Sequence, residues 1–183
     1  MTDPTAFENM KIVLEGAVYD LDFAGTVTVK NRSEMINLAS LSRQYELEMV
    51  LKEKENLNQI SAAIRLKAAL KNLTAELLPG ISASTGDFAG CHAEIKFNLN
   101  LAIQETDAAE LLGMLEELWG KDRRIVCTSR KIQDNHGLAS ESTEIHVFFD
   151  RLLTEEQIND LQPMASCCVH SLEALEHWAN EER

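Results

Sequence analysis

Hydrophobic and polar residues alternate most regularly over residues 91–104. One side of this stretch carries Cys91, Ala93, Ile95, Phe97, Leu99, Leu101 and Ile103. The other side carries His92, Glu94, Lys96, Asn98, Asn100 and Gln104, and only Ala102 blurs the pattern. Because successive side chains of a β-strand point to opposite faces, the pattern predicts a long strand with one face on a core and one in water. Strands with one wet face are typical of antiparallel and α+β sheets.

Shorter alternating segments predict the remaining strands. Residues 11–20 and 26–30 are expected to form a hairpin across the turn at 22–25, and Ser33 is expected to cap a short helical turn over 33–39. Residues 44–54, 123–132 and 143–149 also alternate and predict three more strands.

Residues 60–78 fit two interpretations. Ile60, Ile64, Leu66 and Ala68 alternate as in a strand, but Ala and Leu also recur at helical spacing before a Pro79-Gly80 stop. The helix-forming composition favours a helix. In the alternative, this segment is a strand that pairs with residues 44–54 as a hairpin.

Two amphipathic helices are predicted in the second half of the chain. Thr106 is a natural N-cap for a helix over 106–120, which ends at Gly120. Thr154 and Gln157 have capping-box spacing before a short helix, and Pro163 is expected to start a final helix. The apolar stripe of that final helix is Met164, Cys168, Leu172, Leu175 and Ala179.

These elements predict an α+β fold, with a largely antiparallel sheet and helices packed on one face. The order βαββα in 91–183 indicates a ferredoxin-like C-terminal half that lacks its last strand, which the first half could supply. We expect a single domain over 1–183, in which 1–80 is an elaborated β-rich half and 81–90 a connecting loop.

Charge argues against nucleic-acid binding. The net charge is −13, and residues 91–183 hold 18 acidic but only 8 basic residues. Nucleic-acid affinity comes from cations that neutralise phosphates. The cationic side chains that do cluster are interpreted as a solvated strand edge, and they are Lys121, Arg123, Arg124, Arg130 and Lys131.

Residues 1–9 carry no secretory signal, no apolar run approaches the ~20 residues that span a bilayer, and four reduced cysteines fit a cytoplasmic protein.

The final helix carries the one metal-ligand pattern. Cys167, His170, Glu173 and His177 stand at i, i+3, i+6 and i+10, which places thiol, imidazole and carboxylate groups on one helix face. That face lies nearly opposite the apolar stripe, so the favoured interpretation is a solvated surface. The sequence indicates no cofactor, because it contains neither a P-loop nor a dinucleotide-binding glycine motif.

His92 and His146 share the polar face of their strands with Glu94 and Glu144. Neighbouring strands would bring the imidazoles together for acid–base chemistry, although ordinary solvated side chains are the favoured interpretation.

The sequence therefore favours a non-catalytic protein-interaction domain. We expect an acidic cytoplasmic adaptor, chaperone-like factor or inhibitor that binds a basic protein partner, with neither nucleic acid nor membrane as a ligand. Val50, Phe148 and Trp178 fall at phases expected to be partly exposed, and they suggest a homodimer. The alternative is a metal-dependent or acid–base enzyme, or a ligand-binding domain, that uses His92, His146 or the Cys167–His177 helix face.

Overall fold

The computed structural model describes residues 5–54, 60–77, 88–137 and 139–181. Its helices are α1 (Ala6–Phe23), α2 (Leu70–Leu77), α3 (Glu105–Trp119) and α4 (Leu161–Glu181). Its strands are β1 (Val27–Asn37), β2 (Ser42–Leu51), β3 (Ile60–Ala68), β4 (His92–Leu99), β5 (Arg124–Gln133) and β6 (Ala139–Phe148). Short 3-10 helices span Lys52–Lys54 and Glu155–Asp160.

The six strands form one antiparallel sheet in the order β1-β2-β3-β4-β6-β5. The predicted α+β class is therefore confirmed. Helix α3 connects β4 to β5, and β6 lies between these two strands, as in the ferredoxin-like arrangement. Strand β3 of the first half pairs with β4, at the position where that arrangement has its last strand.

The core lies between one face of the sheet and the helices. In the centre of the sheet, Ile64 pairs with Leu47 on one side and with Ile95 on the other, and all three are buried. Helix α4 packs over β2 and β3 and has α1 and α3 as neighbours. It therefore buries more of its circumference than a surface helix does, and every residue of its predicted apolar stripe is buried.

Two residues that were expected to be partly exposed are buried. Trp178 on α4 is only 7% exposed and Val50 on β2 only 2% exposed, whereas both were expected to be partly exposed. Trp178 is buried because α4 is enclosed by the sheet and two helices. Phe148 alone of the three suggested dimer residues is half-buried, and Arg124 lies over its ring.

The predicted strand over 11–20 is wrong, because these residues belong to α1. The buried positions are Phe7, Met10, Leu14 and Val18, whose intervals of three and four residues define one helix face. Of the alternating residues, Leu14 and Val18 belong to this stripe, whereas Ile12 is 58% exposed. Thr5 caps the helix by accepting a hydrogen bond from the Glu8 backbone N–H at 3.4 Å.

The predicted hairpin of 11–20 with 26–30 and the helical turn over 33–39 are also wrong. Strand β1 continues from Val27 to Asn37 and pairs along that length with β2. The strand contains a bulge at Lys30, after which its side chains continue in the new register. A β-hairpin therefore replaces the helical turn, and its loop spans residues 38–41.

Both interpretations of residues 60–78 were partly right. Residues 60–68 are the strand β3, which pairs with β2 as the alternative required, and residues 70–77 are the short helix α2. Asn72 is buried at the junction, where its side chain accepts a hydrogen bond from the Ala69 N–H at 2.9 Å and donates one to the Phe88 carbonyl at 2.9 Å. Of the predicted loop at 81–90, residues 81–87 lie outside the described part of the chain.

The remaining predictions differ from the structure only at their ends. The long strand β4 ends at Leu99 rather than at residue 104, and α3 begins at Glu105. The α3 cap is Gln104 instead of Thr106, because the Asp107 carboxylate accepts the Gln104 backbone N–H at 3.0 Å. The capping box of Thr154 and Gln157 forms as predicted. Among the described helices, none combines the length and the low charge that a bilayer span requires.

Candidate interaction surface

Four apolar side chains are exposed together at the end of the β1–β2 hairpin. The exposed fractions are 54% for Met35, 62% for Ile36, 80% for Leu38 and 50% for Leu41. We call these four residues the hairpin patch. Clustered exposed apolar side chains mark interaction sites more often than single ones do.

The loop that presents the hairpin patch is held by its own hydrogen bonds. The Asn37 side-chain oxygen accepts the backbone N–H groups of Ala39 at 3.0 Å and Ser40 at 3.2 Å. The hydroxyls of Ser40 and Ser42 lie 2.8 Å apart. Leu41 has a φ of 49°, a left-handed conformation that is unfavourable for a branched side chain. The turn chemistry therefore fixes an apolar loop in a defined shape.

Two cavities flank the patch on opposite faces of the hairpin. On the open face of the sheet, a cavity of about 620 Å³ is lined by Met35, Ile36, Asn37, Leu38, Ser42 and Gln44. On the helix side, a smaller cavity of about 240 Å³ is lined by Thr5, Ile36, Leu41, Ser42, Arg43, Leu73 and Glu76. We call the second one the Glu76 cavity. Both cavities are lined in part by Ile36 and Ser42.

Glu76 lines the smaller cavity, but both oxygens of its carboxylate are buried. Burial raises the pKa of its carboxyl group, and the nearby negative charge of Glu155 acts in the same direction. The backbone N–H groups of Phe7 and Gly90 and the Thr5 hydroxyl oppose this rise.

The cations next to this cavity are already paired. The Arg43 guanidinium contacts the carboxylates of both Glu8 and Glu34 and lies over the Phe7 ring, 4.8 Å from its centroid. Lys11 lies 2.8 Å from Glu8 and 3.2 Å from Glu34. Burial opposes the charge on Arg43, but its two carboxylate partners raise its pKa above the ordinary value. The charge that Arg43 brings to the cavity wall is therefore balanced by two carboxylates.

Strand β1 also supplies a backbone edge. It stands at one end of the sheet and pairs only with β2 among the described strands. Near its start, the Val29 N–H donates to the Asp22 carboxylate at 3.3 Å, so α1 covers this part of the edge. The part of β1 beyond the bulge, residues 31–37, contains Met35 and Ile36 of the hairpin patch.

The predicted histidine pair does not form. His146 on β6 contacts the Glu94 carboxylate through Nδ1 and lies 3.6 Å from Glu144 through Nε2. His92 stands opposite Lys67 of β3, whereas the pairing of β4 with β6 begins only at Glu94. One imidazole, not two, therefore joins the carboxylates of the open face.

Glu94 is the centre of that polar cluster. Its side chain is 5% exposed and accepts hydrogen bonds from Lys67, His146 and, at 3.4 Å, Arg65. Burial alone would raise the pKa of Glu94, but the hydrogen bonds from Lys67 and His146 and the charge of Arg65 hold it below the ordinary value. Arg65 also binds Glu46 at 2.5 Å, so the cluster is a ladder of ion pairs across β2, β3, β4 and β6. Opposite charges on neighbouring strands stabilise a sheet.

The four candidate metal ligands of α4 do not converge. His170, Glu173 and His177 are exposed, and His177 lies 3.4 Å from Glu181 one turn away. Cys167 is half-buried, and its thiol donates to the Leu118 carbonyl at 3.6 Å. In the described part of the chain, no group of three or more histidine, cysteine or acidic side chains is arranged to hold a metal ion.

The predicted cationic cluster lies on and beside β5, the strand at the other end of the sheet. Arg123 lies over Phe149 at 4.9 Å and Arg124 over Phe148 at 3.9 Å from the ring centroids. Lys131 pairs with Glu141 of β6 at 2.5 Å. These contacts are those of a charged strand edge, in agreement with the favoured interpretation of this cluster.

The sequence pattern predicts no function for the hairpin patch or for Glu76. The predicted helical turn includes Met35, Ile36 and Leu38. A helical turn gives no reason to expect that the adjacent pair Met35 and Ile36 lies on two faces of a strand. The adjacent apolar pair could have indicated an exposed hydrophobic residue, because neighbouring residues of a strand cannot both face one core.

No protein-family model, curated protein or solved structure matches this chain.

Proposed function

We propose that this chain is a non-catalytic protein-interaction domain that binds a basic protein partner, as an adaptor, a chaperone-like factor or an inhibitor. The observation that carries the proposal is the hairpin patch, with four apolar side chains at least half exposed beside a cavity that Glu76 and Arg43 both line. Apolar contact supplies affinity at such a surface, and a net charge of −13 favours encounter with a basic partner.

The test is co-purification from the native host with two matched variants. Ile36→Asp places a charge in the hairpin patch, whereas Ile132→Asp makes the same change on β5, where Ile132 is 53% exposed. We expect the parent protein and Ile132→Asp to retain a basic protein that Ile36→Asp loses. The purified partner should bind the parent more weakly as salt increases. A partner retained equally by all three proteins, or one whose binding ignores salt, would contradict the proposal.

A homodimer in the cytoplasm belongs to the same proposal. Its predicted contact can no longer include the buried Val50 and Trp178, but Leu118 on α3 and Val126 on β5 remain 38% and 36% exposed. Sedimentation across the micromolar range tests this point, and a monomer throughout would remove the dimer.

The second candidate is acid–base or metal-dependent chemistry. Its support is the contact of His146 with Glu94 and its proximity to Glu144, which places an imidazole between two carboxylates. The ion pairs of Glu94 with Lys67 and Arg65 favour a structural role instead. Loss of a catalytic activity in His146→Ala, with stability retained, would restore this candidate.

A further inference from the structure

We propose that Glu76 acts as a pH-sensitive latch: its neutral carboxylic acid holds the C-terminal turn of α2 beside α1 and Gly90, and loss of the proton releases that turn. This inference does not depend on the proposed function. It stands on the enclosure of the Glu76 carboxyl group, on the charges around it and on a second, neutral anchor in the same helix.

The Glu76 carboxyl group is enclosed without a full set of hydrogen-bond donors. Both of its oxygens are buried, and neither makes a hydrogen bond of ordinary geometry in the described part of the chain. The Thr5 hydroxyl and the backbone N–H groups of Phe7 and Gly90 are near enough to favour the charged form, but burial has the larger effect and raises the pKa of Glu76. A buried carboxylate that lacks donors is strongly unfavourable, so such a group keeps its proton instead.

Charges on the neighbouring elements do not compensate an ionised Glu76. Glu155 of the 3-10 helix adds a negative charge that opposes the ionisation. Arg43 of β2 lines the same cavity and Lys11 of α1 lies next to it, but each of these cations contacts two other carboxylates. Burial and the nearby Glu76 carboxylate together raise the pKa of the Cys91 thiol, which therefore stays neutral and offers no compensating charge.

The other anchor of α2 does not titrate. Asn72 and Glu76 stand four residues apart, so they lie on one face of the helix. The buried Asn72 side chain accepts a hydrogen bond from the Ala69 N–H at 2.9 Å and donates one to the Phe88 carbonyl at 2.9 Å, and an amide keeps these bonds whatever the pH. With 8 residues, α2 is too short to stay helical without packing, so the turn that Glu76 releases also loses its helical hydrogen bonds.

Release of this turn would open the Glu76 cavity. Leu73 and Glu76 are the parts of its lining that α2 supplies. The lining also includes Ile36 and Leu41 of the hairpin patch, whose surface on the cavity side would become accessible. The latch therefore couples the protonation of one buried carboxyl group to the apolar surface at the hairpin end.

Amide hydrogen exchange of the full chain, followed by NMR, tests the latch. The protection factor compares each observed rate with the rate of an unprotected amide at the same pH, so the intrinsic pH dependence of exchange cancels. We expect the protection of the Thr74, Ala75 and Glu76 amides in the parent to fall at least about tenfold between pH 5 and pH 8. Opening becomes about ten times more favourable for each pH unit above the folded pKa of Glu76.

Two matched variants assign the effect to Glu76. Glu76→Gln keeps the shape of the neutral acid and cannot lose a proton, so the protection of α2 should be equal at the two pH values. Glu110→Gln, at an exposed position on α3, should behave as the parent. Urea unfolding adds a test of sign. Because the folded pKa of Glu76 lies above 4.5, the parent should lose stability relative to Glu76→Gln as the pH rises through that pKa.

The opposing account is an ionised Glu76 that stabilises the N-terminus of α1. It predicts that Glu76→Gln loses stability relative to the parent as the pH rises, and that result would overturn the latch. Equal α2 protection in the parent at pH 5 and pH 8, or a fall that Glu76→Gln shares, would also overturn it. If Glu76→Gln does not fold, the NMR shift of the Glu76 carboxyl carbon in the parent decides. A titration midpoint above 4.5 that coincides with the loss of protection supports the latch, and a midpoint below 4.5 overturns it.

Discussion

Glu94 offers a quantitative test of the open sheet face. If the cluster around it is a structural ladder, then Glu94→Gln should destabilise the protein, because the neutral amide keeps the shape but loses the charge. The side chain is 5% exposed and accepts hydrogen bonds from Lys67, His146 and Arg65. Each hydrogen bond to a charged group contributes about 1.5–3 kcal/mol.

The partners of Glu94 recover part of this loss. The Lys67 side chain is 43% exposed and regains water, and Arg65 keeps its ion pair with Glu46. We therefore expect the free energy of unfolding at pH 7 to fall by about 2–3 kcal/mol, below the 3–5 kcal/mol of a fully buried broken pair.

The same contacts predict a pH dependence. Because the folded pKa of Glu94 lies below its ordinary value of 4.5, its charge stabilises the folded protein above that pH. This contribution is lost as the pH falls through the folded pKa. The stability difference between the parent and Glu94→Gln should thus be largest near neutral pH and shrink at acidic pH.

Urea unfolding followed by circular dichroism measures both effects. Glu173→Gln on the exposed face of α4 is the matched control and should change stability by less than about 0.5 kcal/mol. A similarly small change for Glu94→Gln, or a difference that grows as the pH falls, would refute the structural ladder.

Three further predictions follow from single features of the fold. Gly90→Ala should lower the free energy of unfolding in urea by about 1–3 kcal/mol. Gly90 has a φ of 143°, and an added Cβ would lie 2.1 Å from the Leu153 carbonyl oxygen. Unchanged stability would contradict this steric clash. Burial raises the pKa of Cys91 to about 12, so an alkylating reagent at pH 8 should modify it only after denaturation, as followed by mass spectrometry; rapid labelling of the native protein would contradict the burial. The double variant His170→Ala with His177→Ala should change stability by less than about 0.5 kcal/mol. Elemental analysis of the untagged parent protein should find no stoichiometric transition metal. One equivalent of metal in the parent that is absent from the double variant would restore the metal prediction.

Four of the six strands, β2, β4, β5 and β6, were predictable from alternation, whereas β3 was given only as the alternative to a helix. Ile95, Phe97 and Leu99 lie on the core face, as the period of two required. The failures occurred where a short segment fits two periods. In α1, Leu14 and Val18 fit both periods, whereas Ile12 fits only the period of two and is exposed. The deciding signals were Phe7 and Met10 further toward the N-terminus. In β1, the register change at Lys30 removed the alternation that would have extended the strand.

The interaction surface could not be predicted for a different reason. A pattern of apolar residues does not reveal whether another element covers them. Trp178 is buried because α4 lies between α1 and α3, whereas Ile36 is exposed at the end of a hairpin. Glu76 reaches the cavity from α2, a helix that comes more than thirty residues after β1 in the chain. Only the three-dimensional arrangement brings Glu76 and the hairpin patch together.

The affinity of the purified host partner for three proteins tests the central claim most directly. Isothermal titration calorimetry measures the dissociation constant of the partner for the parent, for Ile36→Asp and for Ile132→Asp. The two variants introduce the same charge at opposite edges of the sheet. We predict that Ile36→Asp weakens binding at least about tenfold, as expected for a central contact residue, and that Ile132→Asp binds as the parent does. Equal dissociation constants for all three, or a loss confined to Ile132→Asp, would contradict the assignment of the hairpin patch as the binding surface.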